Sequence, residues 1–304
     1  MSDFRDRRAF CRVAELTSFA AAARDLGLPT ATVSASVKRL EDTFGVRLLE
    51  RTTRKVSVTD EGRAYYERIA PLLDDIADVE AQVRQTADAV SGRVRIAAPR
   101  HLAGALLVPN IETVAHAHPD LELDFTLADA AVDMLGEAVD IAIRIGPLPD
   151  TSASAIRLGG FEQVLCAAPS WIAANDTIQH PDDVPVPLPI AYRFPGSANG
   201  YPWAFTKGDE RVEIQPLANI RFDDLDTYVE AGHFGLGPIC VLSFQAARGL
   251  NSGELIPLLP DWRGAAIDVH ALTPERRHRS RRVDVALDWL KECVGKRGGL
   301  VNPG

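Results

Sequence analysis

The sequence predicts a multidomain protein in which a small α+β unit is followed by one long helix and then by a larger α/β region. Three observations carry that expectation. Three stretches of apolar residues at helical spacing and a short alternating run fill the first 58 positions, a 4-3 apolar repeat extends from Tyr65 to Val83, and beyond Ser91-Gly92 short β-rich runs alternate with helical ones. At ~100 to 200 residues per domain, 304 residues have room for two or three such units.

Composition narrows the class. With 46% hydrophobic and 25% charged residues, the chain has the average make-up of a globular protein, which excludes collagen, fibrous coiled coil and bulk disorder. No apolar run approaches the ~18 residues of a membrane span, and the start from Met1 to Arg8 lacks the apolar core of a secretory signal, so a cytoplasmic location without membrane contact is expected. Cys11, Cys166, Cys240 and Cys293 lie far apart without Cys-x-x-Cys spacing and read as reduced, mostly buried thiols, not as zinc ligands or a disulfide framework. Met1 to Gly62 carries eleven basic against nine acidic side chains, a net of +2, which leaves −11 for the rest of a chain whose total is −9. A basic end on an acidic protein is consistent with that end meeting a polyanion.

Taken in order, the first helix is expected over Arg7 to Glu15, with Ala9, Phe10, Val13 and Ala14 on one face. Ser18 can cap a second, whose Phe19, Ala22, Ala23 and Leu26 align, and Gly27 ends it. A third follows the Leu28-Pro29-Thr30 turn and turns Val33, Val37, Leu40 and Phe44 toward the first two. Its other side then presents Ala31, Ser34, Ala35 and Lys38, flanked by Thr32 and Arg39. Small residues there let the helix lie close in a DNA major groove, and Lys38 can reach a phosphate. From Arg47 to Val58 the alternation is that of a hairpin with a basic tip at Arg51, Arg54 and Lys55. Together these elements read as a winged helix-turn-helix, the alternative being a three-helix packing module with a solvated loop.

Thr59 can cap the long helix, whose first turn holds Asp60 and Glu61 beside the positive end of its dipole. Tyr65, Ile69, Leu72, Ile76, Val79 and Val83 are spaced as the seam of a coiled coil, so two copies are expected to pair, unless one chain buries the seam against its own body. Pro71 inside this helix predicts a kink over 67–71. Beyond it, strands are expected over Arg93–Ala98, Leu121–Leu127, Val139–Ile145, Val164–Ala168, Leu217–Phe222, Gly237–Leu242 and Ala266–Leu272. Helices are expected over His101–Ala117, Ala130–Ala138 and Arg282–Cys293.

The segments Phe10 to Leu26, Ala31 to Ser34, Leu40-Glu41, Phe44 to Arg51 and Val58 to Gly62 together resemble the LysR-type transcriptional regulators, as do Val139 to Gly146 and Cys166 to Trp171 further on. The resemblance covers nearly the whole chain. It implies a DNA-binding domain over 1–58, a dimerising linker helix over 59–90, and an effector-binding region over 91–304 made of two α/β lobes like a periplasmic binding protein. Lobe one is placed at 91–162 plus 266–304 and lobe two at 163–265. DNA-facing residues on this reading are Ser18, Thr30, Ala31, Thr32, Ser34, Ala35, Lys38, Arg51, Arg54 and Lys55. Two positions depart from the family: Pro29 replaces a common capping Ser, which leaves Thr30 as the candidate cap, and Ala35 replaces a common Arg, which weakens base readout there.

Pro99-Arg100-His101 follows the first strand of the α/β region, where open sheets bind ligands. The resemblance places an effector there, against Arg100, His101, Thr126, Arg144, Ile145, Tyr192 and Arg193. Three arginines in an acidic region point to a small organic anion, unless neighbours such as Asp129 or Asp223 satisfy them instead. No cofactor or metal is expected. The partners expected are double-stranded DNA, a second copy, a tetramer of such dimers, and RNA polymerase.

Catalytic signatures are missing. Gly232 to Gly237 has the wrong order for a dinucleotide fingerprint and reads as a turn, no Gly-x-Ser-x-Gly elbow or Walker lysine occurs, and His116 and His118 fall on nearly opposite helix faces. The run Arg276 to Arg282 reads as a solvated loop in preference to a nucleic-acid contact. The expected function is therefore sequence-specific DNA-binding regulation under control of a small molecule, with a two-lobed binding protein or enzyme without DNA function as the rival.

Overall fold

A computed structural model describes residues 4–51, 56–83, 90–129, 139–148, 153–194, 202–274 and 279–295. The chain divides into two compact units, the first over Met1–Ala89 with Leu135–Ala138 and the second over the rest. Among the described residues no helix is long and apolar enough to cross a membrane.

In the first unit, helices α1 (Phe4–Leu16), α2 (Phe19–Asp25) and α3 (Thr30–Phe44) precede an antiparallel hairpin of β1 (Leu49–Arg51) and β2 (Val56–Val58), and α4 (Asp60–Val83) follows. Phe10, Val13, Val33, Val37 and Leu40 are fully buried where the three helices meet, as their spacing requires. Phe44, expected in the same stripe, is largely exposed, because α3 ends at Gly45 and leaves the ring at the margin against Tyr65, 4.9 Å between centroids. Ser18 caps α2 through its hydroxyl, which accepts from the Ala21 N–H at 3.2 Å. Thr30 does not cap α3. Pro29 occupies the cap position in extended conformation without a side-chain bond, so Thr30 becomes the first helical residue.

The start of α4 is fixed at close range. Thr59 accepts from the Gly62 N–H at 3.0 Å, and a Cβ on Gly62 would lie 2.0 Å from the Leu48 carbonyl oxygen. α4 continues through Pro71 without a break in assignment. Its inward face differs from the expected seam: Ala70 and Leu73 are buried in the helical core, with Tyr65, Tyr66 and Ile69 packed beside them, whereas Leu72 and Ile76 are exposed. The first turns of α4 must cover the three-helix core, so Tyr65 and Ile69 are used there. The side chains of Val79, Val83 and Arg51, the wing tip 52–55 with Arg54 and Lys55, the linker end 84–89 and the helix expected over 130–138 lie outside the description.

The second unit contains β3 (Gly92–Ala98), α5 (Arg100–Leu102), α6 (Ile111–Ala117), β4 (Leu121–Leu127), β5 (Ile141–Ile145), β6 (Ser154–Ala167), α7 (Pro169–Ala174), β7 (Leu188–Tyr192), β8 (Trp203–Lys207), β9 (Glu210–Ile214), β10 (Ala218–Phe222), α8 (Leu225–His233), β11 (Ile239–Leu242), α9 (Ser243–Ser252), β12 (Ile256–Pro257), β13 (Arg263–Gly264), β14 (Ala266–Thr273) and α10 (Arg281–Gly295). One sheet runs in the order β11-β6-β14-β5-β3-β4. The amino half of β6 pairs with β14 up to Glu162, and its carboxyl half pairs with β11 from Gln163 onward. This single strand therefore carries the chain from lobe one to lobe two. Lobe one packs Val94, Ile96, Leu102, Ile143 and Leu290 in its core, and lobe two packs Leu165, Trp171, Phe205, Tyr228 and Ile239 in two clusters.

Three expectations are corrected here. The single helix over His101–Ala117 is broken into α5, a π-turn over Ala103–Leu107, a 3-10 turn over Val108–Asn110, and α6. Pro109 has no N–H to give to the preceding turn, so the wider and narrower turns absorb the mismatch. Arg282 is not a solvated loop residue: it is buried, and its Nε donates to the Arg93 carbonyl at 3.1 Å. The strand expected at Val164–Ala168 begins ten residues earlier, at Ser154. Gly159 and Gly160 hide its β signal, and Gly159 is needed because the Val294 side chain comes within 2.7 Å of where a Cβ would stand.

Gly62→Ala forces the wing and the helix start apart and is expected to destabilise the first unit by about 1 to 3 kcal/mol. Urea unfolding that leaves Gly62→Ala as stable as the native chain contradicts this packing.

Candidate functional site

Two surfaces carry functional chemistry, one in each unit. On α3 Thr30, Ala31, Ala35 and Lys38 are exposed, with Thr32 and Ser34 half-buried beside them, and Arg39, Asp42, Thr43 and Phe44 are exposed further along the helix. Lys38 thus projects from a face of short side chains. Its neighbour Arg39 is committed: Nη2 donates to Asp6 Oδ1 at 2.6 Å and to the Ser36 hydroxyl at 2.9 Å, while Nε donates to Asp6 Oδ2 at 3.2 Å. Asp6 is buried, so the pair neutralises a carboxylate that α1 could not otherwise carry inside the unit. A second ionic chain holds α1, α2 and α4 together: Arg12 pairs with Asp25 and Glu15, and the Tyr66 hydroxyl donates to Glu15 at 2.8 Å. The face that can approach DNA is therefore carried on a rigid frame. Ser18 lies half-buried in its capping role.

In the second unit a cleft of about 470 Å³ opens between the lobes. Lobe one lines it with Pro99, His101, Leu102, Asp129, the Arg144 to Leu148 segment and Ile267; lobe two contributes Gln163, Tyr192, Phe194, Trp203, Leu225, Cys240, Val241, Leu242 and Gln245. Of the seven residues expected there, His101, Arg144, Ile145 and Tyr192 line the cleft. Arg100, Thr126 and Arg193 are exposed and do not.

The arginines differ in partnership. Arg193 donates to Asp223 at 2.6 Å, the internal pairing that competes with an effector role. Asp129 accepts from the backbone N–H of Arg100 at 3.2 Å. Arg144 sits on β5, half-buried, and gives one hydrogen bond to the Ile143 carbonyl at 3.3 Å. No carboxylate among the described residues pairs with it, and burial draws its pKa below the usual arginine value. Arginine remains protonated at neutral pH, so the cleft holds a partly desolvated positive charge that no carboxylate among the described residues pairs with, although Asp129 also lines the cleft.

The other polar groups are held in place. Gln163 accepts from the Ala204 N–H at 3.0 Å and donates to the Pro202 carbonyl at 3.4 Å, fixing the segment that brings Trp203 to the cleft. His101 Nδ1 is paired with Asp226 at the start of α8. Asp224 caps that helix, and the hydroxyl and N–H of Thr227 hold its carboxyl below the usual range. Burial, reinforced by Asp129, Asp224 and Asp223, pushes the Tyr192 phenol up to about 12. Burial likewise holds Cys240 well above the ordinary thiol value, so this cleft cysteine is a neutral group.

Sequence patterns had not signalled Gln163, Phe194, Trp203, Cys240 or Gln245 as cleft residues. Trp203 lies on β8, a strand without a clear alternating signature, and Gln163 stands where β6 changes lobes, a position only topology reveals. The glutamines carried no spacing that separates them from surface polars.

Comparison with known proteins matches both parts of the chain. Residues 4–63 match the model of the bacterial regulatory helix-turn-helix protein, lysR family, and residues 87–294 match the LysR substrate binding domain. The chain is similar to the uncharacterized HTH-type transcriptional regulator YhjC of Escherichia coli, 33% identical over 92% of this chain and 94% of the relative. It is also similar to an HTH-type transcriptional repressor of Pseudomonas aeruginosa, 32% identical over 94% of this chain and 90% of the relative. Among solved structures it resembles CrgA, a LysR-type transcriptional regulator from Neisseria meningitidis, with a TM-score of 0.60 and 26% identity over 97% of this chain and all of that one.

The raised phenol gives a spectroscopic expectation. At pH 10, where an ordinary tyrosine is about half ionised, Tyr192→Phe should show the same phenolate absorbance as the native chain. A loss of phenolate signal in that variant at pH 10 contradicts the buried, acid-flanked setting.

Proposed function

The chain belongs to the LysR family of bacterial transcriptional regulators, with a helix-turn-helix DNA-binding domain and an effector-binding domain, and from that premise we propose how each surface works. DNA is gripped mainly through phosphates. The side chains of Ala31 and Ala35 offer no polar atoms to base edges, Arg39 is exposed but bound to Asp6, and Lys38 is an exposed cation of α3 that can reach a phosphate. Thr30, Thr32 and Ser34 supply short hydroxyls for close approach, and Arg51, Arg54 and Lys55 of the wing add charge.

The effector is a small organic anion with an apolar body. A single observation carries this reading: Arg144 is a half-buried guanidinium with no carboxylate partner among the described residues, in a cleft that Ile145, Leu148, Phe194, Trp203 and Ile267 also line. A three-arginine clamp is replaced by a one-arginine grip, since Arg193 is taken by Asp223 and Arg100 stands outside the cleft lining. A guanidinium binds a carboxylate through two parallel hydrogen bonds, which suits a pocket with one fixed cation and apolar walls. Two copies pair through the open Leu72 and Ile76 of α4, so that two DNA-binding domains engage two half-sites. The effector acts by binding one arrangement of this assembly better than another, a coupling of typically ~1 to 3 kcal/mol.

Lys38→Gln should weaken binding to all DNA sequences alike and flatten the plot of log affinity against log salt by about one unit. Unchanged slope and affinity rule out the phosphate contact. For the effector, a thermal-shift panel of carboxylates and their neutral amides tests the grip: carboxylates should stabilise the native chain more than the amides, and Arg144→Gln should lose about ten- to a hundredfold in carboxylate affinity. Equal stabilisation by acids and amides removes the anion reading.

A further inference from the structure

His101 belongs to lobe one and Asp226 to lobe two, yet their side chains meet at the mouth of the cleft, 125 residues apart in sequence. The imidazole is mostly buried, at 19% exposure, and its ring lies 6.0 Å from that of Phe244; the carboxylate is 58% exposed. Asp226 is not needed to cap α8, because Asp224 does that through both the N–H and the hydroxyl of Thr227. Its exposed neighbour Asp223 is neutralised within lobe two by Arg193. Asp226 instead reaches across the opening to a residue that lines the cavity.

From this geometry we propose that Asp226 is an internal competitor for the effector's negative group. In the ligand-free protein it occupies His101, and an anionic effector takes its place. The proposal rests on the anion reading of the cleft. The exchange is favourable for a physical reason: a carboxylate on the effector offers His101 the same acceptor that Asp226 does, and an anion in this cavity also answers the unpaired charge of Arg144. Release of Asp226 frees the start of α8, so occupancy of the cleft is communicated to lobe two through loss of an interlobe contact.

The test uses the full chain with benzoate as the anionic probe and benzamide as its neutral counterpart of the same shape, read by quenching of tryptophan fluorescence, to which Trp203 in the cleft contributes. Asp226→Asn should tighten benzoate about three- to fivefold, the scale of a partly exposed hydrogen bond, and leave benzamide unchanged. The gain should vanish when His101→Gln is added. A general relief of negative charge would keep it. In the ligand-free protein, Asp226→Asn should also raise amide hydrogen exchange over residues 100–102 and 225–228. Unchanged or weaker benzoate binding, a gain that survives His101→Gln, or unchanged exchange each overturns the competition while leaving the Arg144 grip standing. Equal binding of benzoate and benzamide by the native chain overturns the anion grip itself, and the competition with it.

Discussion

The proposed effector site depends on one charge, that of Arg144, which no carboxylate among the described residues pairs with. A guanidinium that loses part of its hydration must recover that energy from hydrogen bonds or a counter-charge, and Arg144 has one backbone acceptor and no carboxylate among the described residues. Its place is set by sheet register. β5 lies between β3 and β14, with Arg144 opposite His270, so the backbone that bears the guanidinium is held in the sheet. The apolar walls that lower the local dielectric come mostly from side chains whose first duty is packing, such as Ile145, Ile267 and Trp203. On the proposed anion reading, such an interior leaves the ligand to supply the charge that pairs with Arg144, and binding becomes selective without many polar contacts.

The surrounding charges sharpen that selectivity by being paired among themselves. Asp223 holds Arg193, Asp226 holds His101, and Asp224 is spent on capping α8. The acidic groups beside the cleft are therefore already partnered, which leaves Arg144 as a cleft cation that no carboxylate among the described residues pairs with. Such an arrangement favours a ligand small enough to pass the rim and apolar enough to gain from the walls. The DNA-binding unit follows the same rule with opposite outcome: Asp6 fixes Arg39, and Arg12 with Glu15 ties α1 to α2 and α4, while Lys38 stays exposed on α3.

Periodicity made the first unit readable. Val33, Val37 and Leu40 announced the inner face of α3, and the residues between them announced the outer one, because a helix that buries one stripe must expose the other. The same rule failed at Tyr65 and Ile69, where the sequence alone cannot say which body covers a stripe, and this core takes both. It failed again at β6, whose glycines answer to Val294, a residue far along the chain. In the cleft, His101 was reachable from its place past the end of β3, and Arg144 only through the resemblance of the stretch Val139 to Gly146 to the family. Gln163 and Trp203 were not, since their role comes from two lobes facing each other across a strand that serves both.

The central claim is that Arg144 waits for an anion. A crystal structure of the full chain with benzoate tests it most directly. The account requires the carboxylate to lie against the Arg144 guanidinium in a two-pronged contact, with the ring among Phe194, Trp203 and Ile267. Benzoate bound elsewhere, or bound in the cleft with its carboxylate turned away from Arg144, would contradict it.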